Sequence, residues 1–149
     1  MLESRHIPCQ AYTYATDIRS AEDVAQALGV PAHEVYKTLV VLPPRGKPLL
    51  VIIPGPWALD LKRLAQALGE KRLRMATHQE AEELTGLQVG GISALALLDR
   101  GFRVYVEQAA RALTEFVVSA GQRGMNLRLR IDDFMRLTKA RFVEAAVGG

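Results

Sequence analysis

Two neighbouring apolar runs, joined by a short turn, constrain this chain most. The runs span residues 35–42 and 49–53, and the segment between them holds three prolines and a glycine. Proline and glycine cannot continue a β-ladder, whereas short apolar runs rich in valine and isoleucine are typical of strands. The sequence therefore predicts a β-hairpin whose two strands face a core.

A single lysine, Lys37, interrupts the first strand of this hairpin. A lysine with apolar neighbours on both sides must reach solvent, pair with an acid, or point into a cavity that binds an anion. A lysine that protects an exposed sheet edge from aggregation explains the pattern equally well. The residues alone leave both interpretations open.

Short elements of both kinds follow one another along the rest of the chain. Ser20, Asp60 and Thr77 are predicted N-caps, with Thr77 and Glu80 forming a capping box, and Asp132 is predicted to cap a last short helix. Further strands are predicted over residues 9–14, 72–75, 102–107, 115–119, 126–131 and 141–144. We expect one α+β domain over residues 1–149, with a mixed, mostly antiparallel, barrel-like β-sheet flanked by helices.

The bulk composition is that of an ordinary globular protein. The 149 residues are 49% apolar and 23% charged, with a net charge of +3, which permits a partner such as RNA without requiring one. The lone Cys9 excludes an internal disulfide, fits a reducing compartment, and is expected to pack as a small apolar residue. Because no apolar run approaches the ~20 residues of a membrane span, we expect a cytoplasmic protein that binds no membrane.

Two glycine-bearing turns lie downstream, at residues 89–93 and 118–124. Paired glycines let backbone N–H groups approach a ligand closely, so Gly90 and Gly91 could bind a carbonyl oxygen or a phosphate. They could equally form a plain turn. Ser119 would need a base to act as a nucleophile, and none of the three histidines lies in a triad context. No spacing of potential ligands suggests a metal site, and we expect no cofactor.

The order of these motifs carries a resemblance that no single motif does. Tyr-Lys-Thr-Leu on a strand (36–39), Gly-Gly-Ile-Ser about fifty residues later (90–93), and Val-Ser-Ala-Gly-Gln-Arg-Gly (118–124) before an alternating strand resemble the YbaK family. This is also the family of the editing insertion of bacterial prolyl-tRNA synthetases. The resemblance covers roughly residues 12–142, including Asp-Asp-Phe-Met-Arg-Leu-Thr at 132–138.

The resemblance implies the family's fold and an aminoacyl-tRNA deacylase. Such enzymes hydrolyse the ester of a mischarged tRNA, typically Cys-tRNA(Pro) or Ala-tRNA(Pro), without metal or organic cofactor. The implied partners are the tRNA acceptor end and a prolyl-tRNA synthetase. Lys37 would anchor an acceptor-end phosphate, and the amides of the Gly-Gly-Ile-Ser loop would hold the aminoacyl carbonyl.

The matched positions give the implied site residue by residue. Catalytic roles fall to Lys37, Gly91 and Ser119, and substrate-binding roles to Tyr14, Thr38, Gly90, Ile92, Ser93 and Gly121. The basic residues Arg123, Arg128 and Arg130 are candidate RNA-backbone contacts, although a solvated basic face is an equally good reading.

This chain departs from the family pattern at two places. Ala94 stands where the family usually has proline, and a shorter connection near Ser20 lacks the family's bulky aromatic residue. Both departures leave the amino acid that is removed open. Two other functions remain: a non-catalytic module that binds an RNA 3′ end or a prolyl-tRNA synthetase, and a hydrolase for small esters or amides.

Overall fold

A computed structural model describes residues 7–18 and 20–148. The described helices, each of eight residues, are α1 (Ala21–Leu28), α2 (Leu61–Leu68), α3 (His78–Thr85) and α4 (Ile131–Thr138). The strands are β1 (Cys9–Thr13), β2 (Tyr36–Leu42), β3 (Leu49–Pro54), β4 (Ala58–Leu59), β5 (Arg74–Met75), β6 (Arg103–Glu107), β7 (Glu115–Ser119), β8 (Met125–Arg130), β9 (Arg141–Val143) and β10 (Ala146–Val147). In this part of the chain, every helix is too short to cross a bilayer.

The helix N-termini follow the sequence signals with one exception. Side-chain oxygens of Ser20, Asp60 and Thr77 each accept a hydrogen bond from the amide three residues later, at 3.0–3.1 Å. The prediction that Asp132 caps the last helix is wrong. Strand β8 leads directly into α4, so the helix begins at Ile131 and the carboxylate of Asp132 lies in its first turn.

The predicted hairpin is the centre of the larger sheet. The five-stranded sheet has the order β5-β2-β3-β6-β9, with β2 and β3 antiparallel and with β6 and β9 added in parallel. Strands β1, β8 and β7 form an antiparallel three-stranded sheet, and β4 pairs with β10. The α+β class and the mixed, mostly antiparallel pairing are confirmed.

The described strands do not close into a barrel, which corrects the barrel-like expectation. The two larger sheets meet at a single parallel bridge between Val35 and Val117. Beyond this bridge no described ladder pair joins β2 to β7, and β2 pairs with β5 at Val41 and Leu42. The two sheets are therefore not joined by a continuous ladder along β2.

The core lies on both faces of the hairpin, as the continuous apolar runs require. All six residues of β3 are buried. On one face of the hairpin, Leu50 and Ile52 pack in a cluster with Phe116 and Phe134. On the other face, Val51 packs in a second cluster that includes Leu64 of α2. Each fully buried aliphatic side chain contributes about 1.5–3 kcal/mol to this packing. Cys9 is exposed on the edge strand β1, contrary to the packing role expected of it.

One acidic side chain is buried in this core. Glu107, at the end of β6, is only 2% exposed. Its Oε1 accepts hydrogen bonds from the amides of Ala145 and Ala146, both at 2.8 Å, and its Oε2 accepts one from Ala109 at 3.3 Å. This carboxylate ties the segment between β9 and β10 to the sheet.

Candidate active site

A pocket of about 480 Å³ lies along the stretch of β2 that has no strand beside it. This stretch runs between the bridge at Val35 and the pairing of Val41 with Met75. The carbonyl of Val40 faces this edge, because it accepts a hydrogen bond from Ala76 N at 3.0 Å. Backbone groups alternate between the two edges of a strand, so the N–H and C=O of Thr38 also face the pocket.

Most of the residues expected from the sequence meet in this pocket. Its walls include Tyr14, Lys37, Thr38, Gly90, Ile92 and Ser119. Three other expected residues, Gly91, Ser93 and Gly121, lie in the two glycine turns without lining the cavity. The walls also include polar side chains to which the sequence assigned no role in a site, namely Ser20, Glu22, His78 and Asn126.

Lys37 is half-buried in this wall. Among residues 7–18 and 20–148, no carboxylate lies within 4.0 Å of its ammonium group. Burial lowers the pKa of Lys37, and the negative charge of Glu22 opposes that shift. A partly desolvated ammonium beside a cavity attracts an anionic ligand group more strongly than a fully solvated one.

The two glycine turns touch each other through Gly91. A Cβ atom at this position would lie 2.7 Å from both Arg123 N and Gln122 C, closer than real Cβ atoms come. The Arg123 guanidinium adds a second link, because its Nε donates to the carbonyl oxygen of Val89 at 2.7 Å. Glycine at 91 thus allows the two turns to pack as one unit.

The backbone amides of the first glycine turn differ in their hydrogen bonding. The amide of Gly91 bonds to Gln88 O at 2.8 Å, whereas those of Gly90 and Ile92 have no acceptor in the described part of the chain. Ser93 is buried, and its hydroxyl accepts a hydrogen bond from Leu95 N at 3.1 Å. The free amides can stabilise an oxygen that gains negative charge, while Ser93 fixes the shape of the turn.

A hydrogen-bonded group of polar side chains forms another part of the wall. The Tyr14 hydroxyl donates to Asn126 Oδ1 at 2.9 Å, and Asn126 lies directly opposite Ser119 in the β7–β8 ladder. Burial raises the pKa of Tyr14, so its hydroxyl remains a donor at neutral pH. Since Oδ1 accepts that bond, the Asn126 amide nitrogen can donate to a ligand. Asn126 is buried, but nothing in the alternating strand around it marks this position in the sequence.

Gly121 shapes the second turn. Its φ of +101° is one that residues with side chains rarely adopt, and a Cβ there would lie 3.0 Å from that of Ala96. Its amide donates to Ser119 Oγ at 3.5 Å. Gly121 therefore allows the second glycine turn to pack closely against the segment that contains Ala96.

The three candidate RNA contacts differ in their surroundings. Arg123 donates to the Val89 carbonyl, as described above. Arg128 donates from Nε to the Tyr12 hydroxyl at 3.1 Å and from a terminal guanidinium nitrogen to Glu34 at 3.3 Å. Arg130 is exposed, and its guanidinium lies 3.8 Å from Asp132. Arg123 and Arg128 are thus half-buried and hydrogen-bonded within the protein, whereas Arg130 is exposed and lies only near Asp132 of the following helix.

Replacing Ala94 with proline is expected to stabilise the fold by about 0.4–1 kcal/mol, because proline restricts the unfolded chain. Ala94 already has φ −62° and ψ −31°, and its amide has no acceptor among the described residues. The free energy of unfolding from urea titration measures the effect. Ala109→Pro is the matched control and should destabilise, because the Ala109 amide donates to Glu107. A loss of stability in Ala94→Pro would show that this buried position has no room for the ring.

Comparisons with known proteins agree with this architecture. A profile of the family described as "Aminoacyl-tRNA editing domain" matches residues 15–137. An Enterococcus faecalis protein, provisionally named Cys-tRNA(Pro)/Cys-tRNA(Cys) deacylase EbsC, is 36% identical over 146 residues, which cover 97% of this chain and 88% of that protein. Proline–tRNA ligase of Pelobacter propionicus is 30% identical over 114 residues, covering 76% of this chain but only 20% of the ligase.

A solved structure extends the likeness to the fold. It is described as a provisional trans-editing enzyme for prolyl-tRNA synthetase, and it superposes with a TM-score of 0.85 at 26% identity. The match covers 99% of this chain and 92% of that one.

Proposed function

Because this chain belongs to the aminoacyl-tRNA editing domain family, we propose that it is a deacylase that hydrolyses the ester of a mischarged tRNA. The substrate of this proposal is tRNA for proline that carries cysteine or alanine. The observation that carries it is the pocket beside β2, whose wall includes Lys37 together with Gly90 and Ile92, two residues whose amides have no acceptor among the described residues. The names of the Enterococcus faecalis relative and of the solved structure support the same activity.

The proposed reaction needs no nucleophile from the protein. An aminoacyl ester is already activated, so holding it in place and stabilising the developing oxyanion can suffice. For alanine, water attacks the carbonyl carbon, the C–O ester bond breaks, and the ribose oxygen leaves with a proton. For cysteine, the thiol of the substrate can attack the same carbon instead: the C–O ester bond breaks, the ribose oxygen takes the thiol proton, and water then hydrolyses the cyclic thioester to free cysteine. Each well-placed oxyanion donor contributes roughly 10²–10³ in rate.

The wall residues divide between the two ends of the substrate. Lys37 anchors a phosphate of the acceptor end, and the backbone N–H and C=O of Thr38 bind the main-chain atoms of the attached amino acid. The free amides of the first glycine turn hold the carbonyl oxygen, with Gly91 and Ser93 fixing their position. Ser119, kept in place by its neighbouring turn, holds the attacking water, and Tyr14 closes the side-chain pocket together with Asn126.

The proposed RNA partner must extend beyond this pocket. We assign the contact with the RNA backbone to Arg130, because its guanidinium is exposed. Arg123 and Arg128 support that surface through their bonds to Val89 and Glu34. A prolyl-tRNA synthetase is the proposed source of the mischarged substrate, since part of a proline–tRNA ligase is itself similar to this chain.

A deacylation screen tests the proposal directly. We expect the protein to hydrolyse Cys-tRNA(Pro) or Ala-tRNA(Pro) and to leave Pro-tRNA(Pro) intact, with seryl- and threonyl-tRNAs as further substrates. Release of the labelled amino acid over time is the measurement, and spontaneous hydrolysis without enzyme is the baseline. Rates at the baseline for all of them, together with tight binding of tRNA, would instead support a non-catalytic binding module. Ala94 in place of the family's proline is the observation that favours this second function.

A further inference from the structure

Two opposite charges face the same pocket. Among the described residues that line it, Glu22 is the only carboxylate and Lys37 the only lysine or arginine. Glu22 lies in the first turn of α1, whereas Lys37 lies on β2, so two separate elements bring the charges to one cavity.

The charges of Glu22 and Lys37 interact electrostatically without forming an ion pair. The negative charge of Glu22 counteracts part of the burial effect on Lys37, and the two groups are more than 4.0 Å apart. Glu22 forms no ion pair with any other residue of the described chain. The space between them can therefore admit a ligand that carries both a cation and an anionic or carbonyl oxygen.

The reactive end of an aminoacyl-tRNA has this distribution of charge. Its α-amino group is an ammonium near neutral pH, and its ester and phosphate oxygens are negative or become so during hydrolysis. Lys37 alone would repel the ammonium, since like charges in a partly desolvated cavity disfavour each other. The carboxylate of Glu22, an exposed residue of the same wall, offsets that repulsion and favours one orientation of the amino acid.

We propose that Glu22 forms a subsite for the α-ammonium group of the aminoacyl ester. The subsite selects substrates with a free amino group and rejects N-acylated ones, which include peptidyl esters. This inference rests on the proposed function, because it specifies the substrate class of the same site.

Asp23 provides a matched control for the purely structural role of an acid at this helix end. An acidic residue in the first turn stabilises a helix through its dipole, and both Glu22 and Asp23 occupy that turn. Only Glu22 lines the pocket. A role in helix stability therefore predicts similar effects for Glu22→Gln and Asp23→Asn, whereas the subsite predicts an effect of Glu22→Gln alone.

The kinetic test compares alanyl-tRNA with N-acetylalanyl-tRNA. The wild type should prefer the free amine by about tenfold or more in kcat/KM, because a charge-assisted hydrogen bond is lost on acetylation. Glu22→Gln should lower kcat/KM for alanyl-tRNA by about the same factor and leave the acetylated substrate within twofold. Asp23→Asn should change neither. Equal losses on both substrates in Glu22→Gln, or no preference in the wild type, would overturn the inference.

A binding test separates this inference from the proposed function. The probe is 3′-amino-3′-deoxyadenosine whose 3′-nitrogen carries alanine through an amide bond. It is prepared with the α-amino group of the alanine either free or acetylated, and isothermal titration gives the dissociation constant of each form. The wild type should bind the free amine more tightly, and Glu22→Gln should remove the difference. Absence of hydrolysis with this preference intact would contradict only the deacylase function. Equal or undetectable binding of the two probes would contradict the subsite.

Discussion

The Lys37→Ala variant is expected to lose at least about 100-fold in kcat/KM for deacylation, the magnitude found when a preorganised electrostatic contact is removed. Among residues 7–18 and 20–148, Lys37 is the only lysine or arginine that lines the pocket, so no other described wall residue can supply this positive charge. The measurement is release of labelled amino acid from mischarged tRNA for proline at subsaturating substrate.

The fold should not weaken in this variant. Because burial lowers the pKa of Lys37, its charged form is less favourable in the folded than in the unfolded state, and removing that charge takes away no stabilising contribution. Thermal unfolding midpoints within ~2 °C of the wild type are expected. Lys62→Ala, at an exposed lysine of α2 outside this pocket, is the control and should retain full activity. Turnover of Lys37→Ala within twofold of the wild type would refute the assigned role.

The Glu107→Leu variant is expected to lose about 2–5 kcal/mol of unfolding free energy. Leucine fills a similar volume but leaves the buried amides of Ala145 and Ala146 without their acceptor, and each unsatisfied donor costs about 1–3 kcal/mol. Urea titration measures the loss. Faster hydrogen exchange at the two amides should accompany it, because the segment between β9 and β10 is no longer held.

Glu107→Gln is the matched variant. Both strong hydrogen bonds end on Oε1, which glutamine retains, and only the 3.3 Å bond from Ala109 to Oε2 is lost. We therefore expect a loss of about 1 kcal/mol, close to that of one ordinary hydrogen bond. Equal losses in the two variants would mean that the negative charge, rather than the acceptor at Oε1, stabilises this segment.

Much of the architecture could be predicted because local chemistry determines it. The hairpin of β2 and β3 follows from apolar runs around a turn, and Ser20 and Thr77 are caps because their hydroxyls reach an amide three residues later. The two-residue strands β4 and β10 were missed, since a pair so short leaves no pattern in the sequence. The open sheets were also not foreseeable, because they depend on one bridge between Val35 and Val117.

The candidate site was predictable only where a motif marked it. Lys37 and the glycine turns stand out in their segments, and most of these positions do meet around one pocket. Asn126 and Glu22 reach the same pocket from a strand and a helix that look ordinary, so only the tertiary arrangement reveals them. The spacing of Arg123 and Arg128 in the sequence likewise does not reveal that their guanidinium groups donate to Val89 and Tyr12.

The close approach of the two glycine turns couples substitutions at two positions that are far apart in the sequence. Residue 91 and the backbone of residues 122 and 123 leave no room for even one methyl group between them. A lineage that acquires a side chain at position 91 must therefore also remodel the second turn, for example through an insertion or deletion there. Among descendants of this sequence, changes in the two segments should be inherited together, and either change alone should be rare.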